Sequence, residues 1–287
     1  MSQSKIILVA GPTASGKSAL AMELARTGQG TIINTDAMQV YEGLPILSAQ
    51  PDAKNRKAVP HELYGTLDPA ERSSAGRWAE MAAAAIEKTV AQKRVPILAG
   101  GTGLYFRALM GGLAPIPAIP ENVREKAEAL YKEIGEEKFR AKLAKLDPDS
   151  AKKLARNDRQ RLIRAYEVAL HTGKPLGHWH QKSAPGFLDG YKIEAHLLMP
   201  EREKLYAACD RRFDKMLEAG AIEEVKSFLK RKLDPDLPAM KTLGLREIAA
   251  YLKGEMKLDE AIVKAQQATR NYAKRQMTWF RNQWKFL

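Results

Sequence analysis

One stretch constrains the fold of this chain more than any other: KIILVAGPTASGKSAL, residues 5–20. Gly11, Gly16, Lys17 and Ser18 fit the phosphate-loop spacing G-x-x-x-x-G-K-[ST]. The motif lies where its mechanism needs it. The apolar run Ile6 to Val9 reads as a buried strand, and SALAMELA reads as the first turns of a helix. Backbone N–H groups along Gly11, Pro12 (which has none), Thr13, Ala14, Ser15, Gly16, Lys17 and Ser18 then wrap an anion at a helix N-terminus, where the helix dipole favours negative charge. Lys17 reaches the terminal phosphates, and the Ser18 hydroxyl ligates Mg²⁺. The loop alone leaves open whether the phosphate is hydrolysed, transferred or used as a leaving group, and whether ATP is what it holds.

Further apolar runs, GTIINTD and VPILAGG, alternate with helical patterns, the clearest being GRWAEMAAAAIEKTVAQKR. This predicts an α/β fold of the P-loop NTPase type, a parallel sheet with helices on both faces and its site at the C-terminal strand ends. Residues 1–115 are expected to form the first part of that core. The stretch GGLAPIPAIPEN, with Pro115, Pro117 and Pro120, reads as a linker into a helical insertion domain over residues 116–186. YKIEAHLLMP is expected to return a strand to the sheet, so residues 187–287 complete the core and end in basic helices.

Charge narrows the partners. The net charge is +13, and residues 261–287 hold six Lys or Arg (Lys264, Arg270, Lys274, Arg275, Arg281, Lys285) and no acid, interleaved with Trp279, Phe280 and Trp284. Such an excess favours a polyanion, nucleic acid above all, although the tail read alone also fits a solvated helix packed by its aromatic side. No apolar stretch approaches the roughly 18 residues of a membrane span. One cysteine, Cys209, fits a reducing cytoplasm. A monomer that meets no membrane is expected. His178 and His180 in GHWHQ lack a third ligand at a recognisable spacing, so no metal role is expected there.

The strand VPILAGG ends in glycines and not in the Asp that usually holds magnesium in a P-loop NTPase. The carboxylate that does follow an apolar strand is Asp36, in TIINTDAMQVY. It reads either as a turn or N-cap residue, or as a base beside the phosphate site.

Together, GPTASGKS, NTDAMQVY, AGGTGLYFRALMGGL, NDRQRLIRAYEV, RRFDKMLEAG, KTLGLRE and ATRNYAKRQMTWFR resemble the tRNA dimethylallyltransferases, also called tRNA isopentenyltransferases, in order from Lys5 to Arg281. The resemblance implies that the loop holds dimethylallyl diphosphate. The five-carbon group then passes to the exocyclic amine of the adenosine on the 3′ side of the tRNA anticodon, and pyrophosphate leaves. It implies Asp36 as base, and Lys17 and Arg212 on the diphosphate, with Arg211 the alternative to Arg212. By the same resemblance the tRNA meets Asp36, Ala37, Met38 and Gln39, Thr102, Arg124, Gln160, Arg161, Leu162, Ile163 and Arg164, and Lys241, Thr242, Leu243, Gly244, Leu245 and Arg246. Read without the resemblance, the Thr102 hydroxyl could simply complete its turn, and QRLIR could be a solvated face with Leu162 inward. Asn34 and Ala37 depart from the small or serine-like residues expected there, and a C-terminal zinc-finger extension of the eukaryotic kind is missing, which points to the bacterial form. The competing readings are a P-loop kinase of a small metabolite, an adenylate isopentenyltransferase acting on free AMP, and a non-catalytic RNA-binding protein with a relict loop.

Overall fold

The computed structural model describes residues 3–182 and 185–284. Lys285, counted above in the basic tail, lies outside the described residues. The chain divides into two compact units, Met1–Met110 with Gly186–Leu287, and Gly111–Pro185.

The first unit is built on strands β1 (Lys5–Ala10), β2 (Gly30–Asn34), β3 (His61–Glu62), β4 (Val95–Gly100) and β5 (Lys192–Leu197), all parallel in the order β3-β2-β4-β1-β5. Near-continuous apolar strands are what a sheet covered on both faces requires. Ile7, Val9, Ile32, Ile97 and Ala99 pack on Ala21, Met22 and Ala25 of helix α1 (Lys17–Thr27). Their alternate neighbours Ile6, Leu8, Ile33 and Leu98 are buried as well. After the short helix α2 (Ala53–Ala58) comes α3 (Ala75–Ala91), which packs on β2 and β4. Ser74 caps α3 by accepting the Arg77 N–H at 3.1 Å, a bond worth about 1 kcal/mol. Its buried stripe centres on Trp78, which is fully buried, stacks on Tyr105 at 4.0 Å and donates its indole N–H to the Asn34 carbonyl. Truncating that ring to Ala costs about 3–5 kcal/mol.

The parallel sheet matches the expectation from the three apolar runs, and KIEAHL returns as β5 beside β1. The edge strand β3 was not foreseen: two residues are too few to show a pattern. β1 and β4 are neighbours whose connections leave toward opposite edges, so a crevice opens at their C-terminal ends. After β4 comes α4 (Gly103–Gly111), before the second unit.

The second unit holds α5 (Glu121–Leu146), interrupted at Gly135 with φ +74°, then α6 (Pro148–Lys153), α7 (Arg159–Thr172) and α8 (Leu176–His180). Its core joins Ala127, Phe139, Leu143, Leu162 and Ile163. Buried Asp147 caps α6 at Ser150 N and also accepts the Leu176 N–H, each at 2.9 Å, which fixes three elements through one carboxylate.

The first unit closes with α9 (Arg202–Glu218), α10 (Ala221–Leu229), a 3₁₀ turn (Pro238–Lys241), α11 (Leu245–Leu252) and α12 (Leu258–Gln283). The aromatic side of the tail packs inward: Phe106, Phe280 and Trp284 meet edge to face, with Phe280 fully buried. Lys274, Arg275 and Arg281 stay exposed.

Candidate active site

The phosphate loop joins β1 to α1. Gly11 sits at φ +148°, and a Cβ there would overlap the Leu198 carbonyl just beyond β5, so both conformation and space require glycine. Gly16 begins α1 at φ +92° and offers no side-chain cap, which leaves the first amides of the helix for a ligand. The Lys17 ammonium turns back to the Pro12 carbonyl and lies 3.4 Å from Ser15 Oγ. The residue is half-buried, and desolvation of its ammonium brings its pKa down from 10.5 to about 7; Asp36 opposes this shift and Arg212 adds to it.

Thr13 is the meeting point of two other elements. Its hydroxyl accepts a 2.6 Å hydrogen bond from Arg212 Nη2 on α9. Its N–H donates at 2.8 Å to Gln276 Oε1 on α12. Burial also lowers the pKa of Arg212, with Cys209 and Asp36 pulling it back up. Arg212 Nε is buried without a hydrogen-bond partner among the described residues. A desolvated guanidinium with an unspent donor beside a phosphate loop is suited to an anion. Arg211, one residue away on α9, is exposed.

Asp36 leaves β2 at the same crevice. Asn34, fully buried, accepts the Asp36 N–H at 2.8 Å and donates to the Asp36 carbonyl at 3.0 Å, so Asn34 holds the backbone of Asp36. Asp36 Oδ1 accepts the Met38 N–H at 2.9 Å. That is the turn bond a structural Asp would make, and the other oxygen makes no hydrogen bond among the described residues. The Thr102 hydroxyl accepts the Ala37 N–H at 3.0 Å, and Thr102 N–H donates to the Thr35 carbonyl at 3.2 Å. Gly100 permits this approach, since a Cβ there would overlap the Thr35 carbonyl. Burial raises the pKa of Tyr64, Tyr105 and Tyr272, and the charge of Asp36 pushes each the same way, so all three stay neutral donors.

One cavity collects part of this set, with Lys17 and Ser18 outside its lining. Thr13, Asp36, Gln39, Arg212 and Tyr272 give it a polar wall, and Met38, Leu47, Phe213, Met216 and Leu243 an apolar one. Gly244, at φ +85°, leaves no room for a Cβ, which would overlap the Phe213 ring and crowd Leu47. Gln39 spends its side-chain amide on the Ser48 and Ala49 carbonyls, bracing the loop that brings Leu47 and Ser48 to the cavity. Thr242 lines the cavity and contacts Met38 Sδ at 3.8 Å.

The remaining expected tRNA contacts divide by burial. Lys241 and Arg246 are exposed, but Leu245 packs in the hydrophobic core. In the second unit Gln160, Arg161 and Arg164 are exposed, with Arg161 on Asp158 and Arg164 on Glu167 at 2.6 Å. Leu162 and Ile163 lie on the inward stripe of α7, so their side chains are not available to a ligand. Arg124 pairs with Glu128 at 3.3 Å on α5. Sequence reasoning gave no role to Gln276 or Tyr272. Both stand in ATRNYAKRQMTWFR, four residues apart and hence on one face of α12.

A phosphate loop at the C-terminal end of β1, one strand in from the sheet edge, a desolvated arginine upon it and a strand-end carboxylate beside an apolar wall define a P-loop α/β fold whose site suits a phosphate ester with an apolar part. The IPP transferase family model matches residues 39–283, and that of the isopentenyl transferases matches residues 4–64. The chain belongs to the IPP transferase family. The tRNA dimethylallyltransferase of Rhodospirillum centenum is 50% identical over 278 residues, covering 97% of this chain and 88% of the relative. Among solved structures, the tRNA delta(2)-isopentenylpyrophosphate transferase of Staphylococcus epidermidis superposes with a TM-score of 0.66 at 32% identity, over 98% of this chain and 91% of that one. A eukaryotic dimethylallyltransferase described as acting on tRNA gives a TM-score of 0.82 at 29% identity, over 96% of this chain and 70% of that one.

Proposed function

We propose that this enzyme transfers the dimethylallyl group of dimethylallyl diphosphate to the exocyclic amine of the adenosine 3′ to the anticodon in tRNA. One observation carries the reading: a single cavity joins a cationic, phosphate-loop end to a wall of Met38, Leu47, Phe213, Met216 and Leu243. A diphosphate suits the first and a five-carbon hydrocarbon the second.

The adenine amine nitrogen attacks the first carbon of the dimethylallyl group, the carbon–oxygen bond breaks, and the bonding pair leaves with pyrophosphate. Charge develops on the departing oxygen, so the Arg212–Thr13 pair, Lys17 and the uncapped amides of α1 stabilise it as it forms. The amine loses its proton to Asp36, whose backbone Asn34 holds and whose following turn is tied to Thr102. The acceptor base enters from an anticodon loop, where unstacking costs only a few kcal/mol.

Ser18 stands exposed in the first turn of α1, and no cluster of three His, Cys, Asp or Glu capable of holding a metal occurs among the described residues. The Ser18 hydroxyl is the hard oxygen donor that would hold Mg²⁺, with diphosphate oxygens and water as its other ligands. Bound there, the ion would supply positive charge beside the diphosphate. No helix among the described residues is long and apolar enough to cross a membrane.

The test is acceptor choice. Purified protein with radiolabelled dimethylallyl diphosphate should label tRNA and leave AMP unlabelled, with no turnover of ATP. Preferential labelling of AMP, or phosphoryl transfer from ATP, would overturn the reading.

A further inference from the structure

The Gln276 side chain is 6% exposed, although it sits in a helix whose outer face carries the basic tail. Its amide spans two loops. Oε1 accepts the Thr13 N–H of the phosphate loop, and Nε2 donates to the Gly101 carbonyl of the turn after β4, both at 2.8 Å. Reversing the amide would set donor against donor and acceptor against acceptor, so the two partners fix its orientation. Gly101 has no room for a Cβ, because Gln276 Nε2 fills that space. The next residue, Thr102, receives the Ala37 N–H, directly after Asp36.

We propose that Gln276 is a positioning residue that locks the phosphate loop to the turn after β4 and so fixes the donor diphosphate relative to Asp36. The inference rests on the donor site described under the proposed function. It also assigns the loop amides. The Thr13 N–H is held by Gln276 and does not serve the phosphate. The amides of Gly16, Lys17 and Ser18 form the cradle, since they stand at the uncapped start of α1 with no backbone partner among the described residues. Arg212 grips the hydroxyl of the same Thr13, so α9 and α12 together set one residue of the loop from outside.

A role in stability alone would lower the melting temperature and the active fraction without changing affinity. Gln276→Met keeps the length of the side chain and removes both bonds. Its affinity for magnesium pyrophosphate, measured by calorimetry, should fall roughly ten- to hundredfold, the usual consequence of misplacing a binding group by about 1 Å. KM for dimethylallyl diphosphate should rise in parallel, with the Kd for tRNA within about twofold of wild type by filter binding. Unchanged pyrophosphate affinity, KM and kcat per active site in the folded variant, with only the melting temperature reduced, would overturn the proposal.

A second measurement needs no variant. Amide hydrogen exchange of the wild-type enzyme should find Thr13 N–H protected before ligand is added and unchanged by pyrophosphate, while Gly16 to Ser18 gain protection. A Thr13 amide that exchanges freely until pyrophosphate arrives would show that it belongs to the cradle and that Gln276 does not hold it. Wild-type protein that fails to bind pyrophosphate at all would instead overturn the donor-site reading, a result distinguishable from the failure of Gln276 alone.

Discussion

Lys17 holds a charge that the free loop disfavours, and diphosphate binding should relieve it. Burial holds its pKa near 7, against an ordinary value of 10.5. A diphosphate beside the ammonium favours the charged form and returns the pKa toward 10 or above. At pH 8 the free site is protonated to the fraction 1/(1 + 10), about 0.1, so binding takes up about 0.9 proton. At pH 6 the free site is already about 0.9 protonated and uptake falls to about 0.1. Affinity therefore weakens about tenfold for each pH unit above 7. Stability moves the other way. The folded pKa lies below the unfolded one, so the penalty is full below pH 7 and fades as pH rises toward 10.5. Titration calorimetry with dimethylallyl diphosphate in buffers of differing ionisation heat measures the uptake. Lys17→Arg, charged throughout, provides the reference that subtracts the ligand's own titration. Equal uptake by wild type and Lys17→Arg at pH 8 would show that the ammonium is charged before binding, and the burial argument would fall.

Asp36→Ala should lower kcat by roughly 10²–10⁴ while diphosphate and tRNA binding stay within a few-fold; steady-state kinetics with both substrates saturating checks it. Arg212→Gln should cost roughly 10²–10³ in kcat, whereas exposed Arg211→Gln should leave kcat within about twofold, which separates the two neighbours by rate. If exposed Arg161 and Arg164 meet tRNA phosphates, replacing both by Gln should flatten the slope of log K against log[salt] by about 0.7–0.9 per lost contact, and an unchanged slope would remove them from the interface.

The fold was legible where the chain spells it locally. The phosphate loop, the buried runs of β1, β2 and β4, and the capped stripe of α3 follow from residues adjacent in sequence. Asp36 was legible as a strand-end carboxylate. Its setting was not, because Asn34, Thr102 and Gly100 reach it from two strands and serve through backbone bonds that a sequence does not display. Arg212 could be chosen over Arg211 only by resemblance, since the helix turns one to the loop and the other to solvent. The inward side of Leu162 was legible as one reading of QRLIR, but Ile163 stands next to it and before an outward arginine, and a continuous stretch does not show that α7 turns both inward. Gln276 lay beyond reach because its partners stand 263 and 175 residues away.

The central claim is that the phosphate loop serves a carbon–oxygen cleavage whose carbon ends on one adenine of tRNA. The most direct measurement reacts the enzyme with tRNA and isotopically labelled dimethylallyl diphosphate, digests the product with nuclease and locates the label by mass spectrometry. The account predicts the label on the exocyclic amine of the adenosine 3′ to the anticodon, one pyrophosphate released per group transferred, and loss of both with Asp36→Ala. Pyrophosphate release with no label in tRNA, or label on any other nucleoside, would contradict it.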